Sequence, residues 1–208
     1  MVNARSAVSP VLQPADCVAC LPEALSRVVQ ADPRLAEAWR AMPPRRLPRG
    51  QVLLRLGETP QHLWWIRQGL VRLYFLTPEG IERNRSFHAE GAWIGSGAPP
   101  IPTPSPYAIE ALEDTELRVL SYAALSEVVR DHAAVRAVFD EALGWLFLRQ
   151  AAREAELLSE EPAQRYARFL ETSPQLAARL PLHHVASHLG ITNVALSRIR
   201  RRLGLTGG

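Results

Sequence analysis

Short apolar runs between residues 47 and 120, separated by seven glycines, restrict the fold more than any other feature of the sequence. The runs are four to seven residues long and rich in Trp, Tyr, Val and Leu, which favour β-strands. They are Val52–Leu56, Leu63–Ile66, Leu70–Leu76, Tyr107–Ala111 and Leu117–Leu120. No helix of useful length fits between them, so a parallel α/β sheet is not expected. The pattern predicts a small antiparallel sandwich or barrel at residues 46–122.

A helical pattern follows this segment. Apolar side chains recur at helical spacing for about 25 residues without an internal proline. They are Val135, Val138, Phe139, Ala142, Leu143, Leu146, Phe147 and Leu157. So long a stripe extends beyond what one small barrel could cover, which favours a two-fold helix pair between subunits over packing on the chain's own barrel. We therefore predict a helical connector and dimerisation helix at residues 123–158.

The two ends of the chain form separate segments. Residues 1–45 are predicted to be an arm with one helix, at about Pro22–Trp39. After the long stripe, Ser159 precedes two acidic residues and a proline, which is typical of a helix N-cap with an acidic first turn. This pattern predicts a hinge near residues 157–161 and a last domain at residues 159–208.

The most specific signal is the segment Leu182–Leu203, with the sequence LHHVASHLGITNVALSRIRRRL. Two short helices joined by a tight turn need a small residue where they cross and a glycine in the turn, and Ala186 and Gly190 occupy these places. Thr192 is suited to be the N-cap of the second helix. The apolar residues that would form the shared core are Val185, Leu189, Ile191, Leu196 and Ile199. The spacing predicts a helix-turn-helix.

On a helical wheel the second helix separates into two faces. Leu196, Ile199 and Leu203 lie on the predicted buried face. The opposite face carries serine and arginine, which would enter the major groove of DNA, and flanking basic residues would contact phosphates. The predicted DNA-contacting residues are His183, Thr192, Asn193, Val194, Ser197, Arg198, Arg200, Arg201 and Arg202. A helical hairpin with a solvated basic face is the alternative.

The charge distribution agrees with this placement. Residues 159–208 contain seven arginines and three acidic residues, a net charge of +4, whereas residues 1–158 have a net charge of −1. A basic C-terminal segment on a nearly neutral body is typical of a protein that contacts nucleic acid.

Other functional classes are less well supported by the sequence. It contains no P-loop, no G-x-S-x-G, no H-E-x-x-H and no glycine-rich dinucleotide turn, so we do not predict an enzyme. A helical scaffold dimer without DNA binding is a further alternative. No run reaches about 18 apolar residues, no secretory signal is apparent, and there are only two cysteines. These features predict a cytoplasmic protein without a membrane segment.

The residues described so far resemble the Crp/Fnr family of transcription regulators. The stretches similar to the DNA-binding domain of that family are PAQRYARFLETSPQL, VASHLGIT and LSRIRRRL. Those similar to its cyclic-nucleotide-binding-type jelly roll are LPRGQVLLRLGE, RQGLVRLYF, FHAEGAWIGS and IEALEDTEL. The resemblance covers about residues 45–205, with both sets in the order found in the family.

This resemblance implies an α+β protein. An N-terminal antiparallel β jelly roll (double-stranded β-helix) would be the sensor, followed by a long central dimerisation helix and a C-terminal helix-turn-helix. It further implies a homodimer that binds a pseudo-palindromic site in double-stranded DNA and contacts RNA polymerase, under the control of an effector or a redox signal. The β-hairpin wing that usually follows the recognition helix in the family is not expected, because few residues remain after Leu203.

The predicted sensor pocket departs from the nucleotide-binding members of the family. Those members hold the cyclic phosphate with a Gly-Glu pair and an Arg-Ser pair, where this chain has Gly95-Ser96 and Ser105-Pro106. Five of the eight residues from 99 to 106 are proline and lack an N–H donor, and no arginine occurs between Arg85 and Arg118. The candidate pocket residues are Gly95, Ser96, Ser105, Tyr107 and Gln150. We predict an effector other than cyclic AMP, or a pocket that is packed shut; a cyclic-nucleotide-responsive regulator is the alternative.

Two cofactor hypotheses remain open, and the cofactor is unknown. Cys17 and Cys20 form a C-x-x-C in the arm, where iron–sulfur members of the family carry cysteines. A cubane cluster needs four thiolates, and one chain has two. The two cysteines could instead form a dithiol switch, a metal bridge or a cluster shared by two subunits, or they could be two unligated thiols. His62 and His88 are candidate haem ligands, although a lone histidine in a β-barrel is more commonly a surface or hydrogen-bonded residue.

Overall fold

The computed structural model describes residues 24–96 and 99–205, and it begins with two helices, α1 (residues 24–31) and α2 (Pro33–Ala41). Asp32 separates them: its carboxylate accepts a hydrogen bond from the backbone N–H of Arg34 at 2.8 Å, and Pro33 occupies the first position of α2. The single helix predicted at about Pro22–Trp39 is therefore divided at this cap.

The strands form two four-stranded sheets. They are β1 (Pro44–Leu47), β2 (Val52–Leu54), β3 (His62–Gln68), β4 (Val71–Leu76), β5 (Glu82–His88), β6 (Trp93–Ile94), β7 (Ala108–Ala111) and β8 (Thr115–Ser121). The strand orders are β1-β8-β3-β6 and β2-β7-β4-β5, and every pair is antiparallel. This arrangement confirms the predicted antiparallel jelly roll.

The barrel core lies between the two sheets. Ile66, Val71 and Ile109 have no exposed surface there. The predicted apolar runs correspond to β2, β3, β4, β7 and β8. β5 was not predicted because Phe87 is its one apolar residue; it becomes a strand by pairing along β4 as the second half of a hairpin.

The central helix is as long as predicted. After α3 (Tyr122–Asp131), α4 runs from Ala133 to Ser159. The prediction that Ser159 is an N-cap is wrong, because Ser159 ends α4 and its hydroxyl donates to the carbonyl of Ala155 at 2.6 Å. Glu161, next to the proline, caps the following helix instead.

Four short helices complete the chain and form a second core. They are α5 (Pro162–Thr172), α6 (Pro174–Arg179), α7 (Leu182–Leu189) and α8 (Asn193–Arg202). Tyr166 and Phe169 of α5 pack there against α7 and α8, and Leu70 and Phe87 of the barrel join the same cluster. The α+β class with a jelly roll, a long helix and a helix-turn-helix is thus confirmed. Within the described residues, no helix is long and apolar enough to cross a membrane.

Candidate nucleic-acid interface and sensor pocket

A tight turn joins α7 to α8. Gly190 ends α7 with φ of 73°, a left-handed conformation that favours glycine, and the N–H of Ile191 donates to the carbonyl of Ala186 at 3.0 Å. The hydroxyl of Thr192 accepts a hydrogen bond from the N–H of Ala195 at 3.2 Å and so caps α8. The predicted turn glycine and N-cap are confirmed.

α8 presents a polar and basic face opposite a buried one. Leu196 and Ile199 are buried against the second core, whereas Val194 is 61% exposed. The other exposed members of the predicted contact set are His183, Thr192, Asn193, Ser197, Arg198, Arg201 and Arg202. The prediction that Leu203 is buried is wrong: α8 ends at Arg202, and Leu203 is 46% exposed beyond the core.

Arg200 differs from the arginines beside it. Its guanidinium donates to the hydroxyl of Tyr166 at 2.7 Å and to the carbonyl of Leu205 at 3.0 Å. The residue is half-buried and joins the end of α8 to α5. Two of its five N–H donors are used within the domain, and its contact with a phosphate stays a prediction.

Four of the predicted sensor-pocket residues are hydrogen-bonded to one another. Ser96 and Ser105 are buried, and their hydroxyl oxygens lie 2.6 Å apart. The Ser105 hydroxyl also contacts the carbonyl of Tyr107 at 2.5 Å, and the Tyr107 hydroxyl donates to the carbonyl of Gly95 at 2.9 Å. The structure thus brings four of the five predicted pocket residues together. Gln150 is not among them, because it is exposed on α4.

The sequence prediction missed two arginines near Tyr107. A bulge in β5 pairs Leu73 with Ser86 and the next residue of β4 with Asn84, so Arg85 is left unpaired. The guanidinium of Arg85 lies over the ring of Tyr107, 4.8 Å from its centroid. Arg149 is half-buried on α4, and burial together with the charge of Arg85 lowers its pKa. Arg149 lies seven residues after Ala142 and therefore on the same face of the long helix. This spacing was the feature of the sequence from which its half-buried position could have been predicted.

The two candidate haem ligands lie in different sheets. His62 begins β3, with its ring 6.4 Å from that of Trp64, and His88 ends β5, with Nε2 3.0 Å from the Ser86 hydroxyl. Burial, followed by the charges of Arg149 and Arg85, lowers the pKa of His88 to about 3. In the described ranges there is no group of three or more His, Cys, Asp or Glu that could hold a metal ion. Cys17 and Cys20 lie outside these ranges.

The helix-turn-helix packs directly on the barrel through α7 and β5. The backbone N–H of Asn84 donates to the hydroxyl of Ser187 at 3.0 Å, and its side-chain amide donates to the carbonyl of His184 at 3.0 Å. The Phe87 ring lies 5.4 Å from that of His188. Burial lowers the pKa of both histidines to about 4, so both are neutral at pH 7.

Ion pairs close the rim of this contact. Arg179 contacts the carboxylates of Glu90 at 2.8 Å and Glu113 at 2.6 Å. The hydrogen bonds from Arg179 lower the pKa of Glu90 to about 2. The surface that contacts the barrel and the exposed face of α8 are therefore different faces of the same small domain.

Comparisons with known proteins agree with this architecture. A family model described as "Cyclic nucleotide-binding domain" matches residues 44–132. No curated protein matches the sequence. FixK2 from Bradyrhizobium japonicum is 20% identical with a TM-score of 0.69, over 80% of this chain and 87% of that one. The c-di-GMP responsive global regulator CLP of Xanthomonas campestris is 17% identical with a TM-score of 0.69, over 83% and 92%. The Thermus thermophilus catabolite activator protein is 24% identical with a TM-score of 0.54, over 83% and 84%. These likenesses establish the fold.

Proposed function

We propose that this chain, which has the architecture of the Crp/Fnr regulators with a cyclic nucleotide-binding domain at residues 44–132, is a sequence-specific DNA-binding transcription regulator. The observation that carries the proposal is the exposed face of α8. Ser197, Arg198 and Arg201 lie exposed opposite a buried stripe on a helix that follows a tight turn, which is the geometry of a recognition helix. The proposal includes the predicted domains, which begin at residues 46, 123 and 159. It also includes a contact with RNA polymerase.

We further propose that the regulator is a homodimer formed through α4. Five exposed residues of this helix are spaced alternately by four and three positions, the spacing of a coiled-coil seam. They are Leu143, Phe147, Gln150, Glu154 and Leu157. Phe147 is 73% exposed and the flanking Leu158 is 81% exposed in the single chain. A second α4 would bury this stripe, with Gln150 in the seam rather than in the sensor pocket.

We propose an effector other than cyclic AMP. Ser96 and Ser105, which the resemblance places where nucleotide-binding members hold the cyclic phosphate, are hydrogen-bonded to each other. A nucleotide would have to break this buried pair, and neither serine supplies the guanidinium that pairs with a phosphate. A redox signal at Cys17 and Cys20 stays a separate hypothesis.

The experiment that tests the function is selection of bound sequences from a random duplex library, combined with sedimentation of the complex. We expect a pseudo-palindromic site with half-sites about one helical turn apart, bound by two chains. Arg83 is an exposed arginine on β5, so Arg83→Ala is the matched control for Arg198→Ala. A single non-repeated site bound by one chain, or equal binding by both variants, contradicts the proposal.

A further inference from the structure

The C-terminal end of α7 is held by two arginines from other helices. An α-helix leaves the carbonyl groups of its last four residues without a partner inside the helix. In α7, the first two of these carbonyls accept hydrogen bonds from backbone N–H groups of the turn that follows. The last two, of His188 and Leu189, accept hydrogen bonds from the guanidinium of Arg153 on α4 and from that of Arg165 on α5. The end of α7 that leads into the recognition helix is therefore attached to both neighbouring helices.

These two arginines lie on opposite sides of the link between α4 and α5. Arg165 is buried within the small domain and also donates to the carbonyl of Glu160, so its bonds stabilise that domain and the start of α5. Arg153 lies in the last two turns of α4 and is half-buried, and it also pairs with Glu156 at 2.6 Å on the same helix. The bond from Arg153 therefore joins the central helix directly to the helix-turn-helix.

The covalent link between α4 and α5 does not by itself fix the angle between the two helices. It consists of Glu160 and Glu161, both with extended backbone, and changes in the dihedral angles of such a link rotate one helix relative to the other. The bond from Arg153 is charge-assisted, and it is made at the negative end of the α7 dipole, which favours a cation. It gives the domain a second point of attachment to α4, and two points restrict a rotation that one point allows.

The same two turns of α4 also carry part of the proposed dimer stripe. Glu154 and Leu157 belong to that stripe, whereas Arg153 lies about 100° from Glu154 around the helix and contacts α7. Leu157 also approaches the turn, since a Cβ added to Gly190 would lie 3.7 Å from its Cδ2. The proposed contact between subunits and the turn before the recognition helix thus lie on two sides of one short segment of α4.

We propose that Arg153 is a positioning residue that fixes the angle between α4 and the recognition helix α8, and thereby the spacing of the half-sites that the dimer binds. Two recognition helices held at a fixed angle fit one spacing, and a loosened pair tolerates neighbouring spacings. Arg153 acts through α7 and does not contact DNA, so the preference for each base within a half-site does not depend on it. This inference rests on the proposed function, namely a homodimer that binds DNA.

The first test measures binding of the full chain to palindromic duplexes that have the selected spacing or one base pair more or less. We expect the unaltered chain to bind the changed spacings more weakly. Arg153→Gln should reduce this discrimination about tenfold, with the base preferences within each half-site intact. Arg153→Lys, which keeps the charge and can donate to the same carbonyl, should restore most of the discrimination.

Arg136→Gln is the matched control, because Arg136 is an exposed arginine in the first turn of the same helix. This variant should discriminate between the spacings as the unaltered chain does. Equal discrimination by Arg153→Gln and the unaltered chain would mean that the link between α4 and α5 fixes the angle alone, and it overturns the proposal. Equal weakening of binding to all the duplexes by Arg153→Gln also overturns it, because a residue that only stabilises the fold or contacts phosphate gives that result.

The second test is hydrogen exchange without DNA, which separates this inference from the proposed function. If Arg153 holds the end of α7, Arg153→Gln should increase amide exchange at residues 188–195 severalfold and leave the barrel strands unchanged, and Arg136→Gln should have no effect. Unchanged exchange at residues 188–195 overturns the role of Arg153 even if the unaltered chain binds palindromic DNA. Failure of the unaltered chain to bind any duplex contradicts the proposed function, and the role of Arg153 in half-site spacing with it, whatever the exchange result.

Discussion

Arg198 and Arg202 are both exposed on α8, yet we expect them to contribute differently to DNA binding. Arg198 lies in the second turn of the helix, where we expect its fork to pair with O6 and N7 of guanine, and Arg202 ends the helix, where we expect it to contact a DNA phosphate. Arg198→Ala should cost about 1–3 kcal/mol and relax the preference at one guanine. Arg202→Ala should weaken all sequences alike and lower the salt slope by about one.

Binding-site selection with each variant at two salt concentrations distinguishes these roles. The same selection tests Val194, which is exposed and whose side chain cannot accept a hydrogen bond. We expect it to favour a neighbouring thymine by packing against the methyl group of that base. If Arg198→Ala binds uniformly more weakly with every base preference intact, Arg198 contacts phosphate and the assignment of the groove-facing side is wrong.

Single residues were the level at which the sequence predicted least. Thr192 and Gly190 were predictable because a cap and a left-handed turn depend on local chain geometry. Arg200 was not, because its partner Tyr166 lies on another helix, and the helical wheel records direction but not neighbours. Gln150 and Arg149 are adjacent in the sequence but point about 100° apart on a helix, so the predicted Gln150 is exposed whereas Arg149 is half-buried.

At the scale of elements, helices and strands were predicted correctly where their hydrophobic pattern is strong. α4 and most long strands were predictable because their apolar periodicity is strong. β5 was missed because it has no apolar alternation: Asn84 and Phe87 contact the helix-turn-helix, while Arg85 and His88 lie toward α4. A strand that contacts two other elements through polar groups cannot be distinguished from a loop by its own sequence.

The stripe on α4 gives a prediction about this element. Phe147→Glu would place a charge in each copy of the proposed seam and remove burial of the ring, about 2–3 kcal/mol per copy. We expect sedimentation as a monomer at micromolar concentration, together with weaker binding to a palindromic duplex. Ala152→Glu is the matched control because Ala152 is exposed on the opposite side of α4 and should leave the dimer intact. A dimer that survives Phe147→Glu would show that another surface joins the subunits.

At the scale of the whole molecule, the contact between barrel and helix-turn-helix should depend on pH. Arg179 lowers the pKa of Glu90 from 4.5 to about 2, so the ionised carboxylate is favoured in the folded chain. This stabilisation is fully present above pH 4.5 and is lost as the pH falls toward 2. Part of the acid-induced decrease in Tm should therefore disappear in Glu90→Gln.

Arg67→Gln, which removes a different surface ion pair, is the control for that measurement. Its Tm should follow the same pH dependence as the unaltered chain over this range. Hydrogen exchange of α7 provides a local readout, because Glu90→Gln should increase exchange there if Arg179 helps to hold the domain on the barrel. Identical pH profiles for Glu90→Gln and the unaltered chain would contradict the contribution of this ion pair.

The last prediction concerns the proposed sensor: cyclic AMP should leave DNA affinity unchanged. A ligand shifts a conformational equilibrium only by its difference in affinity for the two states, and here Ser96 and Ser105 are joined by a buried hydrogen bond. The Tyr122 hydroxyl, donating to the carbonyl of Ser96 at 3.1 Å, adds a second buried bond that a nucleotide would have to displace. We expect no heat of binding in calorimetry at millimolar cyclic AMP and superimposable DNA titrations with and without it. Calorimetry that shows micromolar binding of cyclic AMP would contradict this prediction and would mean that other residues of the chain donate hydrogen bonds to the phosphate. Arg85 and Arg149 would then be the first residues to replace by glutamine.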